Sequence, residues 1–218
     1  MLETERERVA AAARRLAEEG LVLGTAGNVS ERRGELVAVT PTGAVLERLQ
    51  AQDVAVVDLE GTWVDGPLAA TSELALHLGA YRRYGAGAVV HAHAPVSTAL
   101  ACVLDEVPAV HYQMVSLGGS VRVARYATFG TAELAEVTLE ALEDRFAVLM
   151  ANHGTLTYGE DLDSAVERSR LLEWACTVYW RAAAIGAPRA LGDAELDAVR
   201  DQLEQRNYGS LLGAKAQP

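Results

Sequence analysis

The chain has 218 residues, half of them apolar, and a formal net charge of −11. A chain of this length can bury a substantial core without disulfides or a structural metal, so we expect a single domain over residues 1–218. The negative charge argues against nucleic acids and anionic membranes as partners and favours small molecules.

Cysteine usage and the first residues predict the compartment. Cys102 and Cys176 form no CxxC pattern, and the chain opens with charged residues instead of a basic segment followed by an apolar one. Membrane helices need roughly 20 uninterrupted apolar residues, and no stretch approaches that length. We therefore expect a cytoplasmic protein with reduced thiols.

The first half of the chain predicts a helix, short strands and a second helix. Residues 4–20 have apolar side chains at helical spacing and end at a glycine, and runs at 36–40 and 54–59 are typical of strands joined by tight turns. A second helix is expected to begin at Thr71–Glu73, with Thr71 or Ser72 as N-cap, and to reach about Tyr84.

The second half predicts the same mixture of elements. A strand ends at His91, a helix runs from Pro95 to about Leu104, and the last third is helical. Further strands or helices are predicted at 107–110, 121–126, 131–143, 146–150, 162–185 and 193–205. With no repeat and no linker, this pattern favours one α/β domain whose helices cover a sheet.

A metal site is predicted by the histidines. His91 and His93 follow an apolar run at a spacing of two, so on a strand they point to the same side. His153 lies where a second apolar run ends. Imidazole nitrogen suits zinc and its first-row neighbours, and a catalytic zinc typically has three protein ligands. Spacing alone leaves open whether the pair is instead two hydrogen-bonded strand histidines.

Small-residue turns and one carboxylate add to this prediction. The loops Gly24–Ser30, Thr40–Gly43 and Thr71–Glu73 offer backbone amides and hydroxyls that suit an anion such as phosphate. Glu73 could ligate a metal, act as a base, or stabilise the helix dipole. His77 lies one helical turn after Glu73 and is a further candidate ligand on spacing alone.

In order and spacing these motifs resemble the class II sugar-phosphate aldolases, a family that also contains the adducin head domain. The resemblance covers nearly the whole chain. It implies a three-layer α/β/α sandwich around a largely antiparallel central sheet. The segments that carry it are Gly24–Ser30, Thr40–Gly43, Ser72–Glu73, His91–His93, Pro108–Tyr112, Tyr126–Thr131 and Asn152–Gly154.

The resemblance implies a role for each matching residue. His91, His93 and His153 are implied to be zinc ligands, and His77 a structural histidine. Glu73 is implied as a fourth ligand that becomes the base once substrate displaces it. The residues that match the family's phosphate cradle are Thr25, Asn28, Thr42, Gly43, Thr71 and Ser72.

Three aromatic residues match positions on the other side of the family's pocket. Tyr112 matches a tyrosine that reaches a neighbouring subunit's site in a four-fold ring and handles a proton on the aldehyde oxygen. This implies a homotetramer with sites at subunit interfaces. Phe129 and Tyr208 match residues on the aldehyde side.

The implied activity is reversible cleavage of a ketose 1-phosphate, of the L-fuculose 1-phosphate type, to dihydroxyacetone phosphate and an aldehyde. Zinc or another divalent transition metal would stabilise the enediolate as a Lewis acid. The single lysine, Lys215, is close to the C-terminus. A Schiff-base aldolase mechanism is therefore not expected.

Other activities in the same family stay open. The pentulose-phosphate 4-epimerase has an aspartate where this chain has Glu73, which favours the aldolase. Methylthioribulose-1-phosphate dehydratase shares the metal site. A non-catalytic, adducin-like interaction domain is the alternative of a different class, and the presence of all three histidines and Glu73 argues against it.

Overall fold

The computed structural model describes residues 1–206, which form six α-helices and nine strands in one mixed order. The helices are α1 (Glu3–Glu18), α2 (Leu74–Tyr84), α3 (Pro95–Ala101), α4 (Ala132–Ala141), α5 (Leu162–Ile185) and α6 (Asp193–Gln205). The strands are β1 (Asn28–Arg33), β2 (Leu36–Val39), β3 (Ala55–Asp58), β4 (Trp63–Asp65), β5 (Ala88–Ala92), β6 (Glu106–Val107), β7 (Val121–Ala124), β8 (Ala147–Met150) and β9 (Gly154–Gly159).

The strands form one sheet in the order β4-β3-β2-β1-β5-β9-β8-β7-β6. All neighbouring strands run antiparallel except β7 and β8, which are parallel. The sheet is therefore mostly antiparallel, as the resemblance implies, but the parallel pair makes it mixed.

Helices contact both faces of this sheet. Successive strand residues point to opposite faces, and in β5 Val89 packs in a cluster with α2 and α4, whereas Val90 packs with α1 and α5. A third cluster joins β8 to α3, the middle of α5 and Leu196 of α6. Residues 88–92 are all buried, so β5 ends inside the domain at the predicted metal site.

The structure corrects several predicted elements. The strand β9 has no counterpart in the prediction, because its two glycines and two threonines lack the apolar pattern by which a buried strand is recognised. The hydroxyls of Thr155 and Thr157 are satisfied by the carbonyls of Ala92 and Ala165, so both threonines can be buried. Helix α3 ends at Ala101 instead of Leu104, and the run at 107–110 contributes only its first residue to β6.

The start of α2 also differs from the prediction. Glu73, not Thr71 or Ser72, occupies the N-cap position, and no side chain caps the helix. The Thr71 hydroxyl instead accepts a hydrogen bond from the Glu73 amide at 3.2 Å, which forms a short turn before the helix. Glu73 therefore lies just outside the helix.

Within residues 1–206, no helix combines the length and the apolarity that crossing a bilayer requires.

Gly87 gives a test of how tightly this sheet packs. A Cβ at Gly87 would lie 1.9 Å from the carbonyl oxygen of Glu160, whereas a Cβ at Gly186 would meet no atom within 4 Å. We expect Gly87→Ala to lower the free energy of unfolding by about 1–3 kcal/mol, because backbone must move, and Gly186→Ala to have little effect. Urea denaturation of both variants measures this difference, and equal stability would contradict it.

Candidate metal centre

The sheet topology brings the three histidines together. His91 is in β5, His93 follows the end of β5, and His153 lies in the turn between β8 and β9. Because β9 pairs with β5 on one side and β8 on the other, this turn lies beside the end of β5. The three ring centroids are 4.6–5.0 Å apart.

Glu73 completes the cluster from the other side. Its Oε2 is 3.0 Å from Nε2 of His91, and its Oε1 is 3.2 Å from Nε2 of His153. Glu73, His91, His93 and His153 each present one ligand atom, and these four atoms lie within 4.8 Å of one another. The structure therefore brings together all four residues that the sequence predicts as ligands.

The hydrogen bonds of this cluster fit a metal better than a set of protons. His91 Nδ1 donates to the carbonyl of Thr155 at 2.8 Å, so Nε2 of His91 carries its lone pair. That lone pair faces His93 Nε2 at 2.8 Å and the Glu73 carboxylate at 3.0 Å. A proton on His93 would satisfy one contact, but the buried Glu73 Oε1, although it lies 3.2 Å from His153 Nε2, makes no hydrogen bond of regular geometry in the described chain.

Three imidazole nitrogens and one carboxylate are a donor set typical of zinc and other divalent first-row metals. The bond from His91 to the Thr155 carbonyl fixes the tautomer and the ring orientation that a ligand histidine needs. The residues present thus fit a divalent metal.

Electrostatics favours the ligating form of these side chains. Burial by itself raises the pKa of Glu73, but protons carried on the facing nitrogens of His153 and His91, and then Asn28, lower the pKa far below its ordinary value. Burial, together with the neighbouring His91 and His153, lowers the pKa of His93 to about 3. An anionic carboxylate and a neutral imidazole are the forms that bind metals.

A cavity of about 420 Å³ opens beside this cluster. His93, His153 and Glu73 line its floor, while His91 is fully buried beneath it. The predicted substrate-contacting residues that line the cavity are Thr25, Asn28, Thr42, Gly43, Thr71, Ser72 and Phe129.

The small-residue loops form a neutral rim. The segments 40–43 and 69–72 are joined by hydrogen bonds from Thr42 to Ala69 and from Thr71 to Thr40. In residues 1–206, the backbone N–H groups of Gly43 and Ser72 make no hydrogen bond, and no lysine or arginine lines the cavity. An anion held here would be bound by amides and hydroxyls.

Gly27 is needed where this rim meets the sheet. It has φ +106°, and a Cβ there would lie 2.7 Å from Val22 Cγ1 and 3.0 Å from the carbonyl oxygen of His91. Only a glycine lets the loop pass this close to the end of β5.

One predicted residue, Tyr112, is not part of this cavity, and another, Tyr208, lies outside the described residues. Tyr112 is 48% exposed, begins a 3-10 helix at Tyr112–Leu117, and packs its ring at a tilt against His111, outside the cavity lining. Tyr208 lies outside the described residues, so its contact stays a prediction.

Sequence reasoning did not assign Tyr126 and Asn152 to the site, although both line the cavity. Their presence in the Tyr126–Thr131 and Asn152–Gly154 motifs was the available signal. His77 is outside the group of candidate ligands, as expected. It is fully buried and hydrogen-bonded to Ser30 and Asn28.

Comparison with known proteins identifies the family. The family model described as "Class II Aldolase and Adducin N-terminal domain" matches residues 7–180. A 5-methylthioribulose-1-phosphate/5-deoxyribulose-1-phosphate aldolase of Rhodospirillum rubrum is 40% identical over 200 residues, covering 91% of this chain and 89% of that protein.

Two further relatives agree with this match. A 5-deoxy-D-ribulose 1-phosphate aldolase of Bacillus thuringiensis serovar kurstaki is 35% identical over 212 residues, covering 96% of this chain and 99% of that protein. A solved structure of an L-fuculose 1-phosphate aldolase superposes with a TM-score of 0.89 at 34% identity, covering 92% of this chain and 96% of that chain. The resemblance in the sequence motifs is confirmed.

Metal binding should stabilise the protein through the His153 cluster. A ligand that binds only the folded state at 100 times its dissociation constant stabilises it by about 2.7 kcal/mol. We therefore expect zinc to raise the unfolding temperature of metal-depleted wild type, and His153→Ala to lose most of this rise. His111→Ala changes a histidine outside the cluster and should keep it. Equal zinc-induced shifts in the two variants, measured by calorimetry, would contradict the assignment.

Proposed function

Because this chain belongs to the class II aldolase and adducin N-terminal domain family, we propose that it is a metal-dependent aldolase that cleaves a ketose 1-phosphate. The products would be dihydroxyacetone phosphate and an aldehyde. The observation that carries the proposal is the position of the Glu73 carboxylate, within 3.2 Å of two histidine rings and at the floor of a cavity whose rim presents backbone amides and hydroxyls.

The proposed reaction breaks the C3–C4 bond of the ketose phosphate. The C4 hydroxyl loses its proton, the C4 oxygen becomes the aldehyde carbonyl, and the bonding electrons pass to C3. The resulting enediolate gains a proton at C3 and becomes dihydroxyacetone phosphate. A divalent metal, for which we propose zinc, would supply Lewis-acid stabilisation of the negative charge on the substrate oxygens.

The chain's own residues would bind the phosphate and move the proton. The rim from the 24–30, 40–43 and 69–72 loops would hold the phosphate through neutral donors. His91, His93 and His153 would hold the metal, and Glu73 would be a further ligand until substrate displaces it. Glu73 would then deliver the proton that C3 gains in cleavage, which balances the proton lost from the C4 hydroxyl, and would act as the base at C3 in the reverse direction. A carboxylate held close to the reacting carbon is a suitable proton shuttle.

For the substrate we propose a 5-deoxypentulose 1-phosphate, including its 5-methylthio form. The two relatives at 40% and 35% identity carry these substrates in their names. The cavity wall with Tyr126, Ala127 and Phe129 is largely aromatic and apolar, which suits an aldehyde that carries no hydroxyl group. L-Fuculose 1-phosphate is the second candidate, because the superposed structure at a TM-score of 0.89 carries that name.

The proposal includes a closed oligomer, as a homotetramer. Tyr112 is exposed outside its own chain's cavity, and Trp174 and Trp180 are also exposed, at 44% and 53%. Exposed aromatic residues are typical of protein interfaces. Tyr112 would then relay the proton that the C4 hydroxyl loses in a neighbouring subunit's site, and in the reverse direction it would return a proton to the aldehyde oxygen. A single cytoplasmic domain with a three-layer α/β/α arrangement completes the proposal, supported by apolar packing on both faces of the sheet.

Turnover of ketose 1-phosphates tests this function. We expect the zinc-loaded protein to release dihydroxyacetone phosphate from 5-deoxyribulose 1-phosphate, detected with a coupled dehydrogenase, and a chelator to abolish the release. Glu73→Gln should lower kcat by about 10²–10⁴-fold, because it keeps the shape but loses the base.

Glu31→Gln is the matched control for this variant. Glu31 is also a buried glutamate, but it lies 3.2 Å from Arg8 and away from the cavity. It should keep its kcat. No release from any ketose 1-phosphate by the zinc-loaded protein would overturn the aldolase proposal and favour the epimerase or dehydratase of the family.

Mixed oligomers test the shared site. Tyr112→Phe and Glu73→Gln should each be nearly inactive alone. If one chain supplies Tyr112 to the site of the next, co-expressed 1:1 mixtures regain about one quarter of the wild-type activity. The reason is that about a quarter of the interfaces in a closed ring combine a native Glu73 from one chain with a native Tyr112 from the next. Mixtures no more active than the average of the separate variants would place Tyr112 in its own chain's site or outside catalysis.

A further inference from the structure

A line of four hydrogen bonds runs from the cavity wall into the core. Asn28 Nδ2 donates to Glu73 Oε2 at 3.1 Å, and Asn28 Oδ1 lies 2.5 Å from His77 Nε2. His77 Nδ1 lies 2.6 Å from the Ser30 hydroxyl, which lies 2.5 Å from the Tyr81 hydroxyl. Glu73 and Asn28 line the cavity, whereas His77, Ser30 and Tyr81 are not among its lining residues.

The line joins α2 to β1, and the spacing of its residues in the sequence explains how the two elements match. Glu73, His77 and Tyr81 are spaced four residues apart along the start and body of α2. Asn28 and Ser30 are two residues apart on β1. Four helical residues rise about 6 Å and two strand residues about 6.6 Å. The rise between successive helix residues of the line therefore nearly equals the rise between its two strand residues, and helix and strand side chains alternate along the line.

The chemistry of the groups determines which one donates and which one accepts in each hydrogen bond of the line. An ionised Glu73 can only accept, so the Asn28 amide nitrogen must face it and the Asn28 oxygen must face His77. His77 must then carry its proton on Nε2, and its Nδ1 accepts from Ser30. Ser30 in turn accepts from Tyr81. Each group donates toward the carboxylate, and none is left without a partner.

Burial keeps these groups in the forms that the direction requires. Ser30 and His77 are fully buried and Tyr81 is 1% exposed. Burial, with a smaller effect of His91, lowers the pKa of His77 to about 3, although Glu73 opposes this shift. Burial raises the pKa of Tyr81 above its ordinary value. At neutral pH His77 is therefore neutral and Tyr81 keeps its proton.

Polar side chains in a core are costly unless they serve something beyond packing. The packing surface of α2 could be filled by apolar residues at positions 77 and 81, as it is at Leu76, Leu78 and Ala80. Instead, the helix has the polar residues His77 and Tyr81, which hydrogen-bond to Ser30 and Asn28 of the strand. Through Asn28 the line reaches Glu73, the carboxylate that the proposed function needs.

We propose that His77 is a positioning residue for Glu73, which it holds through the Asn28 amide, and that Ser30 and Tyr81 lock His77 in the tautomer that does so. This inference rests on the proposed function for the role of Glu73. The line fixes one carboxylate oxygen toward Asn28, so that Glu73 can leave the histidine cluster and return without rotating freely. It also ties the Asn28 side chain in the phosphate rim to the base.

The first test measures the tautomer of His77 and needs no enzyme activity. Long-range proton–nitrogen correlation spectra of the full chain, metal-free and zinc-loaded, should show the Nε2–H form of His77 at pH 6–8. The His77→Gln spectrum identifies the resonance among the five histidines. An Nδ1–H tautomer or a charged ring would overturn the proposal.

The second test compares two tyrosines of the same helix. Tyr81→Phe removes the last donor of the line, whereas Tyr84→Phe removes a hydroxyl that donates to the Leu139 carbonyl. We expect Tyr81→Phe to lower kcat about 3–10-fold with an unchanged KM and to speed the loss of zinc to a chelator. Tyr84→Phe should change neither value. Equal effects of the two variants would reduce the line to ordinary packing.

The third test replaces His77 itself. His77→Leu should lower kcat about 10–100-fold, as removal of a group behind a metal ligand does. His77→Gln offers both a donor and an acceptor and should recover most of that loss. A folded His77→Leu protein with full kcat would overturn the proposal, and if this variant does not fold, the tautomer and the tyrosine pair decide.

These tests separate the inference from the proposed function. If no ketose 1-phosphate is cleaved by wild type, the aldolase proposal fails, while the tautomer and the zinc-loss rates still decide whether the line positions Glu73.

Discussion

A buried carboxylate surrounded by imidazoles is the interaction on which the rest of this structure depends. Glu73 is 8% exposed and lies at 3.0 Å and 3.2 Å from two ring nitrogens. A charge in such a place is stable only if its neighbours supply donors or a cation. The positions of α2, β1, β5 and the β8–β9 turn all serve this requirement, because each contributes one group that faces the carboxylate or one of its partners.

Much of this arrangement is readable from the sequence, since it depends on local spacing. The HxH pair, the glycine after His153 and the hydroxyl turns each carry their signal within a few residues, and their order identified the family. The order of the strands in the sheet, in contrast, does not depend on local spacing. β9 lies between β5 and β8, and its glycines and threonines give no apolar alternation, so the pairing that sets His153 beside His91 was visible only in three dimensions.

The line from Glu73 to Tyr81 was hidden for a related reason. Helical spacing placed His77 on the face of Glu73, but the matching residues on β1, two apart, are read with a different period. A contact between two periodic elements depends on their register, and register is set by the whole sheet. Likewise, the sequence suggested a capped helix at Thr71, whereas the demand for a carboxylate in the cluster leaves Glu73 at the N-cap position without a side-chain cap.

The site is built in two halves of unequal rigidity. In the first half, Glu73 and the three histidines are buried or half-buried, and hydrogen bonds tie Glu73 to Asn28 of β1 and His91 to Thr155 of β9. The rim loops belong to this half because backbone hydrogen bonds join them to β1 and to one another, although the side chains of Thr25, Thr42 and Ser72 are exposed. The opposite wall is formed by Tyr126 and Phe129, which are 61% and 69% exposed. In the proposed reaction, bond cleavage would depend on the first half and the choice of aldehyde on the second. Under this proposal, relatives can share the first half and act on different sugars. The family then follows from the motifs, while the aldehyde would depend on a few exposed side chains and, in the proposed oligomer, on a neighbouring subunit.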